Sequence, residues 1–274
     1  MTKIALRAFG NVGSGEAEKL LEIIKGLYEG FGDPPDLVEL LLFDALDLRN
    51  AYVAKEARER SVSVNDFGVE FLSVHECWSG SPRIYLSLDV LGSLPEGALM
   101  GALEHEVGHT ILHGSLESYV FPPELVADYW AALGSEFAMN LLALVAASVK
   151  DFEVTRLWVD RRASRDQLAF IEHLLGSNEA EKALYAIAKA KPDSALLFRA
   201  SVMKPVACAY PLTMDPEAGP MADRAISKFM GFMEDGEREG ILGILGEVAS
   251  RGMDDTLGNV IAAMDGLRRR FPIA

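Results

Sequence analysis

The stretch GALEHEVGHTILHGS, residues 101–115, decides how this chain is read. His105 and His109 stand four apart, with Glu106 directly after the first. On an α-helix, residues four apart lie on one face about 6 Å from each other, so two ring nitrogens can converge on one zinc ion at about 2.0–2.1 Å. Glu106, one step round, falls beside such an ion, where a carboxylate can hold a water and take its proton. Five histidines occur in 274 residues, and three of them lie between positions 105 and 113, a clustering that chance does not readily supply. His113 is eight residues beyond His105, about 12 Å of helical rise, so one unbroken helix cannot place all three rings on one ion. It is expected to hydrogen-bond at the helix end, with support of a metal ligand from outside the coordination sphere as the alternative.

The surroundings supply a helix for this pattern. SLPEGALMGALEHEVGHTILHG begins with Ser93 as an N-cap, carries Pro95 and Glu96 in the first turn, and stops at Gly114. Upstream, KIALRAF (3–9) reads as a strand and GSGEAEKLLEIIKGLYEGFG as a helix with Leu20, Leu21, Ile24 and Leu27 at helical spacing. Val38 to Phe43 reads as a buried strand, and ALDLRNAYVAKEARERS as a helix with a charged outer face. The runs GVEFLSVHE and RIYLSLDVL, separated by CWSGSP, read as neighbouring antiparallel strands. From Pro122 onward the helical stretches are 122–133, 135–162, 164–175, 178–190, 221–234, 237–251 and 254–269. The segment 204–220 reads as a long irregular connection, or a lid over a cleft. The expected fold is therefore α+β, with a small mixed sheet and the HEVGH helix in a domain over 1–160 and a helical extension over 161–274.

A catalytic zinc keeps three protein ligands and one open position, so a third donor is needed from elsewhere. His75 and His173 are not placed for it by any pattern, and a carboxylate is the better expectation. In LLALVAASVKDFEVTRLWVD, a step of 100° per residue puts Asp151 on a stripe with Leu144, Ala147, Ser148, Val154, Thr155 and Trp158. Glu153 shares its face with Lys150, Arg156, Leu157 and Asp160, which reads as a solvated or ion-paired side. An acid on a buried stripe must be paired, protonated or bound to metal. Asp151 is thus the favoured third ligand, with Glu153 and Glu124 as alternatives. Glu124, after Pro122 and Pro123, also suits a first helical turn, where the macrodipole favours acids.

Composition limits the partners. Lys and Arg number 26 against 41 Asp and Glu, a formal charge of −15, which repels phosphate backbones over most of the surface. No nucleic acid is expected, and the basic LRRRF near the C-terminus reads as a helix end. Cys77 and Cys208 lie far apart without zinc-knuckle spacing and read as free thiols. The longest apolar run, FAMNLLALVAASV, stops short of the roughly 18–20 residues of a membrane span, and the first residues lack a secretory core. A cytoplasmic protein without a membrane partner is the expectation.

Strand pairs ahead of ALEHEVGHTIL, followed by a second helix carrying an acid, resemble the zincin-like metallopeptidases, in their glutamate- or aspartate-liganded branch. ELVADYWAA is similar to the E-x-x-A-D stretch that supplies the third ligand in some of them, and DFEVT has the same offsets. VKDFEVTRL also looks like a phrase of uncharacterised archaeal proteins with H-E-x-x-H. The resemblance covers roughly residues 65–160, and only HEVGH in it is specific. It implies His105 and His109 as zinc ligands and Glu106 as general base and acid. The leading expectation is a zinc-dependent peptidase with a peptide or protein substrate, aligned along RIYLSLDVL by edge pairing. The chain departs from the pattern in lacking an unmistakable oxyanion donor, for which Tyr119, Tyr129 and Arg156 are candidates. The competing expectation is a zincin-like fold that binds zinc without proteolysis, as a sensor or interaction module.

Overall fold

The computed structural model describes residues 2–60, 73–253 and 255–272. The chain forms two compact units, Met1–Val120 and Phe121–Ala274. The boundary expected after residue 160 falls at the end of one long helix within the second of these.

The first unit runs β1 (Lys3–Phe9), α1 (Ser14–Tyr28), β2 (Leu37–Phe43), α2 (Leu46–Glu59), β3 (Ser73–Glu76), β4 (Arg83–Ser87), α3 (Leu88–Leu91) and α4 (Glu96–Leu112), then a 3-10 turn at Leu116–Tyr119. The four strands lie in the order β1-β2-β4-β3. β1, β2 and β4 are parallel, and β3 runs antiparallel to β4. The β-α-β-α beginning and the antiparallel pair are those read from periodicity. Residues 68–72 of the expected strand lie outside the described residues, and RIYLSLDVL is a strand only to Ser87 before turning into α3. β4 is flanked by β2 and β3, so it is not the edge along which a substrate was expected to pair.

Register divides the sheet into two faces because successive side chains alternate. Leu6, Leu40 and Ile84 are in register on one face, and His75, opposite Ile84, joins them. This face packs on α1 and α4. Glu39, Arg83 and Glu76 are in register on the other, alongside Leu41 and Tyr85. There Leu41, Phe43 and Tyr85 form a core with Val53 of α2, closed by Phe9, Tyr52 and Trp78. A single step along β3 therefore sends His75 towards α4 and Glu76 towards α2.

The α2 side carries a buried ion cluster. Arg83 Nη1 donates to Glu56 at 2.7 Å, and its guanidinium also lies 3.3 Å from Glu39 and 3.5 Å from Glu76. Glu76 accepts from Tyr85 Oη at 2.8 Å and from the Trp78 amide at 2.7 Å. Burial holds the Glu76 carboxyl above its ordinary value, against these partners.

The second unit is helical: α5 (Ala127–Leu133), α6 (Ser135–Asp160), α7 (Ser164–Leu174), α8 (Glu179–Ala188), α9 (Pro192–Ala209), α10 (Gly219–Phe229), α11 (Asp235–Ala249) and α12 (Thr256–Arg270). Gly134, at φ 90°, separates α5 from α6 in a conformation that a side chain would strain. α6 packs mainly on α9. α9 corrects the reading of 204–220 as irregular: the helix runs through Pro205, and a 3-10 turn at Tyr210–Met214 follows. An interior proline costs about 3 kcal/mol. Burial of Val202, Met203, Val206 and Cys208 around it, at about 1.5–3 kcal/mol for each large side chain, outweighs that cost. The LRRRF arginines are ion-paired, Arg268 with Asp128 and Asp265, Arg269 and Arg270 with Glu247. Among the described residues no helix is long and apolar enough to cross a membrane.

Removing the centre of the α2-side cluster leaves a buried carboxylate without its cation. Arg83→Met is expected to lower the stability of the first unit by about 3 kcal/mol at pH 7. A carboxyl whose folded value is raised favours the fold below its unfolded value of 4.5 and loses that contribution as pH rises. The defect should therefore shrink as pH falls towards 4.5, read by urea unfolding with amide exchange in β2 and β4. An equal loss at both ends of that range would overturn this assignment.

Candidate metal centre

α4 has no solvent face along its centre: every residue from Gly101 to Thr110 is buried. Glu104, His105, Glu106 and His109 are among them, four ionisable groups within six positions. Such groups cost several kcal/mol unless paired, neutral or metal-bound, so their presence here calls for a compensating arrangement. The helix begins at Glu96 after Pro95, without a side-chain cap. Ser93, expected as that cap, instead donates to the Val90 carbonyl at 2.7 Å, because the chain is still closing α3 there.

His105 and His109 are brought together. Their Nε2 atoms lie 3.1 Å apart, with the rings nearly perpendicular at 84°. Two nitrogens held at 2.0–2.1 Å by one tetrahedral ion are roughly 3.3 Å apart. The pair therefore fits a shared ion with little movement. On the other side of the same ring, His109 Nδ1 is 3.3 Å from His113 Nδ1. His75 stacks on the His109 ring from β3, with centroids 5.1 Å apart at 7°, and its Nδ1 lies 2.8 Å from Tyr119 Oη. The Tyr119 hydroxyl is pushed well up, by burial first and then by Cys77, Glu76 and Glu106. Of the three oxyanion candidates, it is the one linked to α4 through a histidine. Tyr129 and Arg156 belong to the second unit, where the Arg156 guanidinium donates to the Ala249 carbonyl.

Three further groups fix α4. Thr110 Oγ1 donates to the Val107 carbonyl at 2.8 Å, so Tyr28 Oη, 2.5 Å away, donates to Thr110. Arg49 of α2 is 1 % exposed, and the charges of Glu106 and Asp89 oppose the burial that lowers its pKa. This guanidinium beside Glu106 was missed from sequence, although Arg49, Val53 and Ala57 at i, i+4 and i+8 form the buried stripe of α2. Gly114 turns the chain away: a Cβ there would lie 2.2 Å from the Thr110 carbonyl oxygen.

The three acids proposed as third ligand sit in the second unit and differ sharply. Asp151 is 8 % exposed on α6, on the stripe read from sequence. Glu153, expected on a solvated side, is 1 % exposed, because α12 covers it. Its Oε1 accepts from Asn259 at 2.6 Å and its Oε2 from Thr256 at 2.8 Å. Burial raises its pKa to about 7, against those two bonds. Burial also lowers Lys150 to about 8, opposed by Asp151. Glu124 is exposed in a 3-10 turn at Pro123–Val126.

Comparison with protein-family profiles, with curated proteins and with solved structures returned no match.

Gly114→Ala is expected to destabilise the first unit by about 1–3 kcal/mol, since its Cβ forces backbone against backbone. Amide exchange should locate the loss at the end of α4. An unchanged urea midpoint would show that the turn relaxes without cost.

Proposed function

We propose that the protein is a metal-dependent peptidase in which His105, His109 and Asp151 hold one zinc ion and Glu106 is the general base. The observation that carries this reading is the pair of Nε2 atoms 3.1 Å apart on the buried stretch of α4, with Glu106 between them in sequence. Asp151 is assigned as the third ligand because it is a buried carboxylate, whereas both oxygens of Glu153 already accept hydrogen bonds and Glu124 is exposed. Two imidazoles with one carboxylate form a donor set suited to zinc and its transition-metal neighbours rather than to magnesium or calcium.

When bound, such an ion polarises a carbonyl and makes water a stronger acid. Glu106 takes the proton of a water as its oxygen bonds to the carbonyl carbon. The same carboxyl then gives that proton to the departing amine nitrogen as the C–N bond breaks. Arg49 keeps positive charge near Glu106. The substrate is a peptide or protein chain.

Elemental analysis of protein prepared without chelators is expected to find about one zinc per chain, lost in His105→Ala and Asp151→Ala and retained in Glu153→Ala and Glu124→Ala. Glu106→Gln should retain zinc and lose cleavage of a peptide library by at least about a hundredfold. Zinc in the wild type without cleavage supports the competing reading, a zinc-binding protein that is not a peptidase. Absence of zinc after supplementation would mean that His105 and His109 are joined only by an N–H···N hydrogen bond.

A further inference from the structure

α4 stops at Leu112, and the amide of His113 donates to the His109 carbonyl at 2.8 Å. The His113 ring, 0 % exposed, folds back so that its Nδ1 meets His109 Nδ1 at 3.3 Å. Two neutral imidazole nitrogens at that distance share one proton, with one ring donating and the other accepting. His109 can bind an ion through Nε2 only if that nitrogen is unprotonated, and the ring then carries its proton on Nδ1. His113 Nδ1 must in that case be the acceptor.

We infer that His113 is a positioning residue: it holds His109 in the Nδ1–H tautomer and the ring orientation that present Nε2 to the metal. The inference rests on the metal reading above and deepens it. The spacing 105, 109, 113 gives each ring a different task. His105 and His109 face each other through Nε2, and His113 takes the remaining nitrogen of His109.

The arrangement is built into the chain. Gly114 allows the backbone to pass against the Thr110 carbonyl, and the Gly114 carbonyl accepts from Cys77 Sγ at 3.0 Å. His113 is thus held by its own amide on one side and by the Gly114 carbonyl on the other, independently of any ion. Its chemistry also differs from the usual arrangement, in which a metal-binding histidine donates to a carboxylate, a backbone carbonyl or water. A neutral imidazole orients the ligand without adding negative charge, which leaves more of the ion's charge to act on a carbonyl.

The test is zinc affinity of the full chain by competition with a chromogenic chelator, for wild type, His113→Phe and His113→Asn. Phe fills the space without an acceptor, and the Asn side-chain oxygen can take the place of Nδ1. His113→Phe is expected to bind zinc about 10–100-fold more weakly, and His113→Asn to recover most of that loss. Nitrogen-15 NMR of histidine-labelled, zinc-loaded wild type reads the tautomer directly and does not depend on the variants folding. A proton on His109 Nδ1 with zinc on Nε2 is expected. Equal zinc affinity in wild type and His113→Phe, or zinc on His109 Nδ1, would overturn the role of His113 while leaving the metal site standing. No zinc binding by the wild type would overturn the metal reading and this inference with it.

Discussion

The first unit is organised around the burial of α4. A helix with water on one side can turn its charges outward, but from Gly101 to Thr110 this one has no such side. Several of the polar groups it carries are met by groups from other elements. His75 from β3 covers the His109 ring, Arg49 from α2 puts positive charge near Glu106, and Tyr28 from α1 bonds to Thr110. The price of burial is thus spread over three neighbouring elements.

The sheet separates two kinds of chemistry. On the α2 face, three carboxylates surround Arg83, and Arg7 and Arg60 pair with two of them, Glu39 and Glu56. On the α4 face the in-register residues are aliphatic, and the polar group contributed is a histidine. Because strand side chains alternate, the two environments are divided by one residue, His75 against Glu76. A one-residue slip of β3 would exchange them, placing a carboxylate against α4 and an imidazole beside Arg83.

How far this was legible from the sequence depended on whether the deciding contacts were local. The β-α-β-α start, the strand pair and the HEVGH helix are carried by period and turn residues, and they appear where they were read, with some ends up to four residues shorter. The His105–His109 pairing is also local, since one helical turn creates it. Glu153 was misplaced because its partners Thr256 and Asn259 lie more than a hundred positions away, and no helical wheel contains them. The end of α9 from 204 onward was read as irregular because proline weighs heavily in a local reading, whereas apolar burial around it decides the outcome. Arg49 was legible in principle: a charge in line with Val53 and Ala57 can be read off α2, but its nearness to Glu106 cannot.

Cys77 gives this architecture an internal reporter. Its thiol is buried and donates to the Gly114 carbonyl, and burial, aided by Glu76, raises its pKa to about 11. Alkylating reagents need an accessible thiolate, so in the closed form this sulfur is doubly protected. Its labelling then has to pass through opening of the turn that pins His113, and the labelling rate at fixed pH follows how often that turn opens. An ion that tightened the end of α4 would slow the modification of a cysteine that never touches it.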